Sequence, residues 1–251
     1  MSPQDICERI GRIRRRISEL SSLNQDKAAG DVLLVSVTNT IPPEIMKKAI
    51  LEAGITDIGE NRIQESITKY HAFRQDEDKK LLSHPLRWHL IGHLQTNKAA
   101  RAVEIFDLIQ SVDSWHLASE LNRRAASKGK VQDILIEVKV SPEDTKYGCP
   151  PSEVKDLARR VSQELKSLRL AGLMAMAPYF GSSSENPSTL ARPYFKKARE
   201  VYEDAYDFFA KDNPYTSGRP VLSMGMSSDF EAAISEGANM VRIGSAIFKG
   251  E

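Results

Sequence analysis

Two short stretches near the C-terminus hold the residues best suited to chemistry. "SMGMSSD" (223–229) and "RIGSA" (242–246) each place a glycine among serines at the end of an apolar run. Gly225 and Gly244 let backbone N–H groups come close to an anion, and Ser223 and Ser245 add hydroxyl donors. Taken singly, each stretch reads as a tight turn; as a pair converging on one spot, they would make an anion cradle. Ser228 or Asp229 is placed to cap the helix that follows. Arg242 lies within an apolar run, so period-two alternation points it inward only if Val241 and Ile243 point outward. An inward arginine needs a partner, because an unpaired buried charge is costly. Glu60 or Glu137 would make that partner structural; a ligand heteroatom would make it functional.

Further candidates end the earlier runs. "VSVTNT" (35–40) closes on Asn39, where a side chain could act, although a carboxamide is neither acid, base nor useful nucleophile. "GENRIQE" (59–65) offers Glu60 and Asn61, and "HLIGHLQTNK" (89–98) offers His93, Gln95 and Lys98. His89 and His93 have the spacing of metal ligands on a helix, but on a strand they stand roughly 13 Å apart. No metal site is expected. Cys7 and Cys149 form no CxxC pair and read as reduced thiols.

Eight short apolar segments must position these residues: 32–37, 55–61, 87–95, 108–114, 134–141, 168–177, 220–228 and 239–248. Amphipathic helix candidates separate them. One starts at Pro42-Pro43 and stops at Gly54; another is capped by Ser114. Strands alternating with helices imply parallel pairing. Eight such units in 251 residues predict an α/β fold, a single TIM-type (β/α)₈ barrel, which typically needs about 250 residues. Residues 1–30 form an extra helix covering its outside, and 1–251 read as one domain. An open doubly wound sheet would want a Gly-rich turn after the first strand, which "VTNTIPP" lacks.

The composition is 41% hydrophobic and 27% charged with net charge +1, which gives no warrant for a nucleic-acid or membrane partner. The N-terminus is charged and helix-like, and no apolar run is long enough for a bilayer, so a cytoplasmic location is expected.

"GENRIQE", "WHLIGHLQTNK", "EDTKYG", "GLMAMAP" and "LSMGMSSDFEAAISEGANMVRIGSAIF" together resemble the pyridoxal-phosphate homeostasis proteins, over about residues 30–248. That family is similar in fold to the N-terminal barrel of alanine racemase. The resemblance implies a protein that binds pyridoxal 5′-phosphate (PLP) and controls its supply, monomeric, exchanging PLP with PLP-dependent enzymes, with no catalytic residues. It implies that Ser223, Gly244 and Ser245 hold the phosphate, that Arg242 faces the pyridine nitrogen, and that Asn61 lies beside the ring. Arginine keeps its proton, so the ring nitrogen stays unprotonated and is a weak electron sink.

Two positions depart from the pattern. Asn39 stands where the family has the lysine that forms the Schiff base with PLP, so binding here is expected to be non-covalent or relocated. Lys139 stands where asparagine is usual, and Lys139 or Lys146 would be the alternative Schiff-base amine. Lys139 also has a plain reading, pointing outward or paired with Glu137 or Glu143. Two other functions stay open: a racemase-like PLP-dependent isomerase, which would need the missing lysine and a second domain, and a degenerate barrel that has lost PLP.

Overall fold

The computed structural model describes residues 3–23, 32–75, 79–141, 147–180 and 186–250. Along the chain come α1 (Pro3–Leu23), β1 (Leu33–Val37), α2 (Pro43–Ala53), β2 (Asp57–Glu60), α3 (Ile63–Arg74), α4 (Lys79–Leu82), β3 (Arg87–Leu90), α5 (Ala99–Ile105) and β4 (Leu108–Val112). Then follow α6 (Trp115–Ser127), β5 (Gln132–Val138), α7 (Pro151–Glu164), β6 (Leu168–Ala175), α8 (Pro187–Ala205), β7 (Val221–Ser223), α9 (Phe230–Ser235), β8 (Met240–Ile243) and α10 (Ser245–Phe248). Each strand pairs in parallel with the next, and β8 returns to β1 with Val35 opposite Arg242, closing the barrel.

Local chemistry sets the element ends. Pro42 and Pro43 open α2, whose last turn stops at Gly54 with φ 59°. Ser114 caps α6, its hydroxyl accepting from the Leu117 N–H at 3.4 Å. The strands are shorter than the apolar runs that announce them. The segment expected as a strand over 239–248 divides into β8 and α10, and the one over 220–228 keeps only Val221–Ser223. Leu94, Met224, Ile247 and Phe248 are buried beyond the ladder, under loops and helices. Hydrophobicity therefore outruns the pairing.

Alternation divides the core into two layers. Ile58, Ile109, Ile134, Ile136, Leu173, Val241 and Ile243 face the helices. Val35, Leu108, Leu135, Ala171, Met174, Val221 and Met240 fill the barrel, with Tyr215 among them. α1 packs on α2, α9 and α10. Arg16 grips the Glu231 carboxylate through Nε and Nη2, both at 2.8 Å, and Arg14 donates to the carbonyls of Ala53 and Gly54 at 2.7 and 2.8 Å. The helix thus spans the seam where the last strand meets the first. Among the described residues, no helix is long and apolar enough to cross a membrane.

Candidate functional site

The inward positions are not all apolar, and their polar side chains form a connected path. At the N-terminal foot, the Asp57 carboxylate meets His89 Nε2 at 2.9 Å and Arg87 Nε at 2.7 Å. Burial pushes the Asp57 carboxyl upward, but the bonds from His89 and Arg87 outweigh it and hold its pKa below the usual carboxylate range. His89 Nδ1 faces Gln110 Nε2 at 3.0 Å. Ser223 Oγ donates to Gln110 Oε1 at 2.7 Å and accepts from Arg242 Nη1 at 2.6 Å. Arg242 Nη2 donates to the Ala175 carbonyl at 2.9 Å. The amide of Gln110 uses both ends, so donors run one way, from Arg242 to Asp57.

Arg242 is 2% exposed, and Val241 and Ile243 face outward, as the alternation requires. Burial lowers its pKa to about 10, against the pull of Asp229 and Glu137, so it stays charged at neutral pH. Glu137 lies on the inward face of β5, and burial together with Asp113 pushes its carboxyl up to about 7, against Arg242. Glu60 is not the arginine's partner. It points between β2 and α3, where Oε1 accepts from Lys69 Nζ at 2.7 Å, and Lys69 Nζ also donates to the Thr38 carbonyl at 2.6 Å.

Above Arg242, at the C-terminal mouth, opens a cavity of about 560 Å³. Asn39, Asn61, Arg242, Gly244 and Ser245 line it, together with Ser227, Ser228 and Asp229; Ile91, Met176 and Met226 contribute apolar surface. The N–H groups of Gly244 and Ala246 both point at Ser227 Oγ, each at 3.3 Å. A Cβ on Gly244 would press Val37 Cβ at 3.1 Å, a tight contact that Val37 would have to relieve by a few tenths of an ångström. Asn39 Oδ1 accepts from the Asn61 N–H at 2.7 Å.

Two residues expected in the anion cradle do not line the cavity. Ser223 is fully buried beneath Arg242 with its hydroxyl engaged as described. Gly225 has φ +95°, and a Cβ there would lie 2.6 Å from Ala233 Cβ, so it serves the close packing of α9. Asp229 stands at the N-cap position of α9, but its carboxylate accepts from the Met226 N–H at 2.6 Å rather than from the helix. Burial raises its pKa, against that bond and Arg242. Lys139 lines a separate crevice with Glu137 and Tyr147. Lys146 and Glu143 lie outside the described residues. His89 is buried in the path just traced, whereas His93 stacks on Tyr147, ring centroids 3.5 Å apart.

The sequence reading missed Ser227 as a cradle residue, and it missed Gln110 and Asp57. Their signal was available: each is polar at an inward or mouth-facing position beside an apolar strand.

A closed eight-stranded barrel with polar donors gathered at its C-terminal mouth defines a class, and the family model for the alanine racemase N-terminal domain matches residues 11–251. The pyridoxal phosphate homeostasis protein of Aquifex aeolicus is 39% identical over 242 residues, 96% of each chain. PipY of Synechococcus elongatus, solved with PLP bound, is 34% identical with a TM-score of 0.72, over 94% of this chain and 99% of that one. This chain belongs to the pyridoxal phosphate homeostasis protein family. Alanine racemase from Streptomyces coelicolor is 17% identical with a TM-score of 0.70; it shares the fold, and this chain covers 98% of itself and 58% of the racemase.

Proposed function

We propose that this chain binds PLP reversibly at the barrel mouth and serves PLP homeostasis, as a cytoplasmic monomer without catalytic turnover. The observation that carries the reading is the donor set of the cavity. Paired amides at Gly244 and Ala246, the hydroxyls of Ser227, Ser228 and Ser245, and the buried Arg242 suit a phosphorylated heterocycle. The size of about 560 Å³ falls within the range usual for small-molecule sites.

PLP brings an electrophilic aldehyde and an electron-accepting ring. Gly244, Ser245 and Ser227 would hold its phosphate, Ser227 exchanging its own bonds from the two amides for the anion. Arg242 would face the ring nitrogen and leave it unprotonated, which withholds the electron sink that amino-acid chemistry needs. Ser223 acts one step back, by fixing the guanidinium. Asn61 would flank the ring and Asn39 would meet the aldehyde end. No lysine is among the described residues lining the cavity, which supports binding without a covalent lysine link.

The test is a PLP titration of the purified chain, followed by borohydride reduction and peptide mapping. Saturable binding, competed by inorganic phosphate and leaving no pyridoxyl-peptide, is the expected result. An adduct on Lys139 or Lys146 would instead establish a relocated covalent link. Absence of binding would leave a degenerate barrel.

A further inference from the structure

The geometry points to a site that does not select the aldehyde: it takes PLP and pyridoxine 5′-phosphate alike and rejects pyridoxamine 5′-phosphate, with Asn39 as the discriminating residue. The inference rests on the PLP reading above and adds which forms of the cofactor the mouth accepts.

The argument begins with the orientation of one amide. Asn39 Oδ1 accepts the Asn61 backbone N–H at 2.7 Å. A backbone donor cannot face an NH₂ group, so the assignment of oxygen and nitrogen is forced. Nδ2 therefore turns away from Asn61 and has no acceptor among the described residues, while Asn39 lines the cavity. The next residue holds this arrangement in place. Thr40 has φ 60°, in the left-handed region that a β-branched residue avoids, and its hydroxyl donates to the Asn39 carbonyl at 2.6 Å. A tight turn immediately after Asn39 fixes where its side chain emerges.

The chemistry follows from what an amide N–H can and cannot do. It donates to the 4′ oxygen of an aldehyde or of an alcohol with equal ease. A lysine at this position would instead reward the aldehyde alone, by forming a covalent bond to it. Against the 4′ ammonium of pyridoxamine 5′-phosphate, Nδ2 sets donor against donor, leaving both unsatisfied. Asp229 is the carboxylate among the described lining residues, and its Oδ1 already accepts the Met226 N–H at 2.6 Å on the serine-rich wall. On Asn39 itself the oxygen is already engaged by the Asn61 N–H, so the end left free meets the ammonium only as a donor.

Calorimetric titration of the full chain with PLP, pyridoxine 5′-phosphate, pyridoxamine 5′-phosphate and inorganic phosphate tests this directly. The expected result is Kd values for PLP and pyridoxine 5′-phosphate within about threefold, and pyridoxamine 5′-phosphate weaker by about tenfold or more. Asn39→Asp keeps the shape and the bond from Asn61 but turns the free end into an acceptor, so the order should invert in favour of the amine. Asn39→Lys should restore preference for PLP over pyridoxine 5′-phosphate, with a borohydride-fixed adduct. Thermal melts confirm that both variants are folded. A wild-type Kd for pyridoxine 5′-phosphate more than tenfold above that of PLP would overturn the inference, as would an unchanged order in Asn39→Asp, while PLP binding itself stood. Failure of every phosphorylated pyridine to bind would remove the PLP reading and this inference with it.

Discussion

The two ends of the barrel interior use the same residue types to opposite ends. At the foot, each inward carboxylate is closed off: Asp57 by Arg87 and His89, and Asp133 by Arg169 at 2.6 Å and the Tyr215 hydroxyl at 2.8 Å. At the mouth, the single inward arginine bonds a hydroxyl and a carbonyl, while the carboxylates that act on it, Asp229 and Glu137, remain at a distance. Charges satisfied by protein give a rigid plug. Charges left short of a counterion give a place for a ligand. The contrast teaches that the foot should govern stability and the mouth affinity.

Four substitutions probe that division, in decreasing size. Asp57→Ala leaves Arg87 and His89 without their carboxylate and should cost about 3–5 kcal/mol in urea unfolding; a loss below 1 kcal/mol would show the foot to be dispensable. Glu137→Gln tests the mouth through pH. Its carboxyl has an ordinary pKa of 4.5 when exposed and about 7 when folded, so the fold favours the neutral acid. Wild-type stability is unaffected by this group below about 4.5 and falls as pH rises from there towards 7. The glutamine variant should lack that fall and be more stable above pH 7 by up to about 3 kcal/mol. Equal melting curves at pH 8 would contradict the shift. Arg242→Met should weaken PLP binding about 10- to 100-fold while changing stability by less than about 1 kcal/mol. A large loss of stability instead would make this arginine part of the plug. Gln110→Leu, midway between the ends, should raise the Kd about threefold by loosening Ser223 under Arg242, with thermal stability read alongside.

Much of this was legible in the sequence, and the gaps have physical causes. All eight strands were found, because short apolar runs alternating with amphipathic helix signals have few other readings. Their C-terminal ends were overextended, since Leu94, Met224, Ile247 and Phe248 stay buried after the ladder stops and hydrophobicity cannot mark where pairing ends. The inward arginine was found by parity. The same parity places Ser223 inside the barrel with Val221, yet its neighbourhood of glycine and serine suggested a loop. The hydroxyl that meets the amides, Ser227, lies four residues on. Lys69 was missed for another reason. On a helix a lysine reads as solvated, and only the packing of α3 on β1 and β2 shows it buried at 6% exposure against Glu60.

The clasp of α1 across the seam also carries a consequence for how the chain is made. Synthesis delivers α1 more than 200 residues before the residues it grips, Glu231 and the Ile247 carbonyl, with Arg16 and Glu231 separated by 215 positions and Arg9 and Ile247 by 238. Until Met240–Ile243 emerge, the edge of β1 from Leu33 to Ser36 has no neighbour on that side. The barrel can close into a ring only once β8 is available to pair with β1.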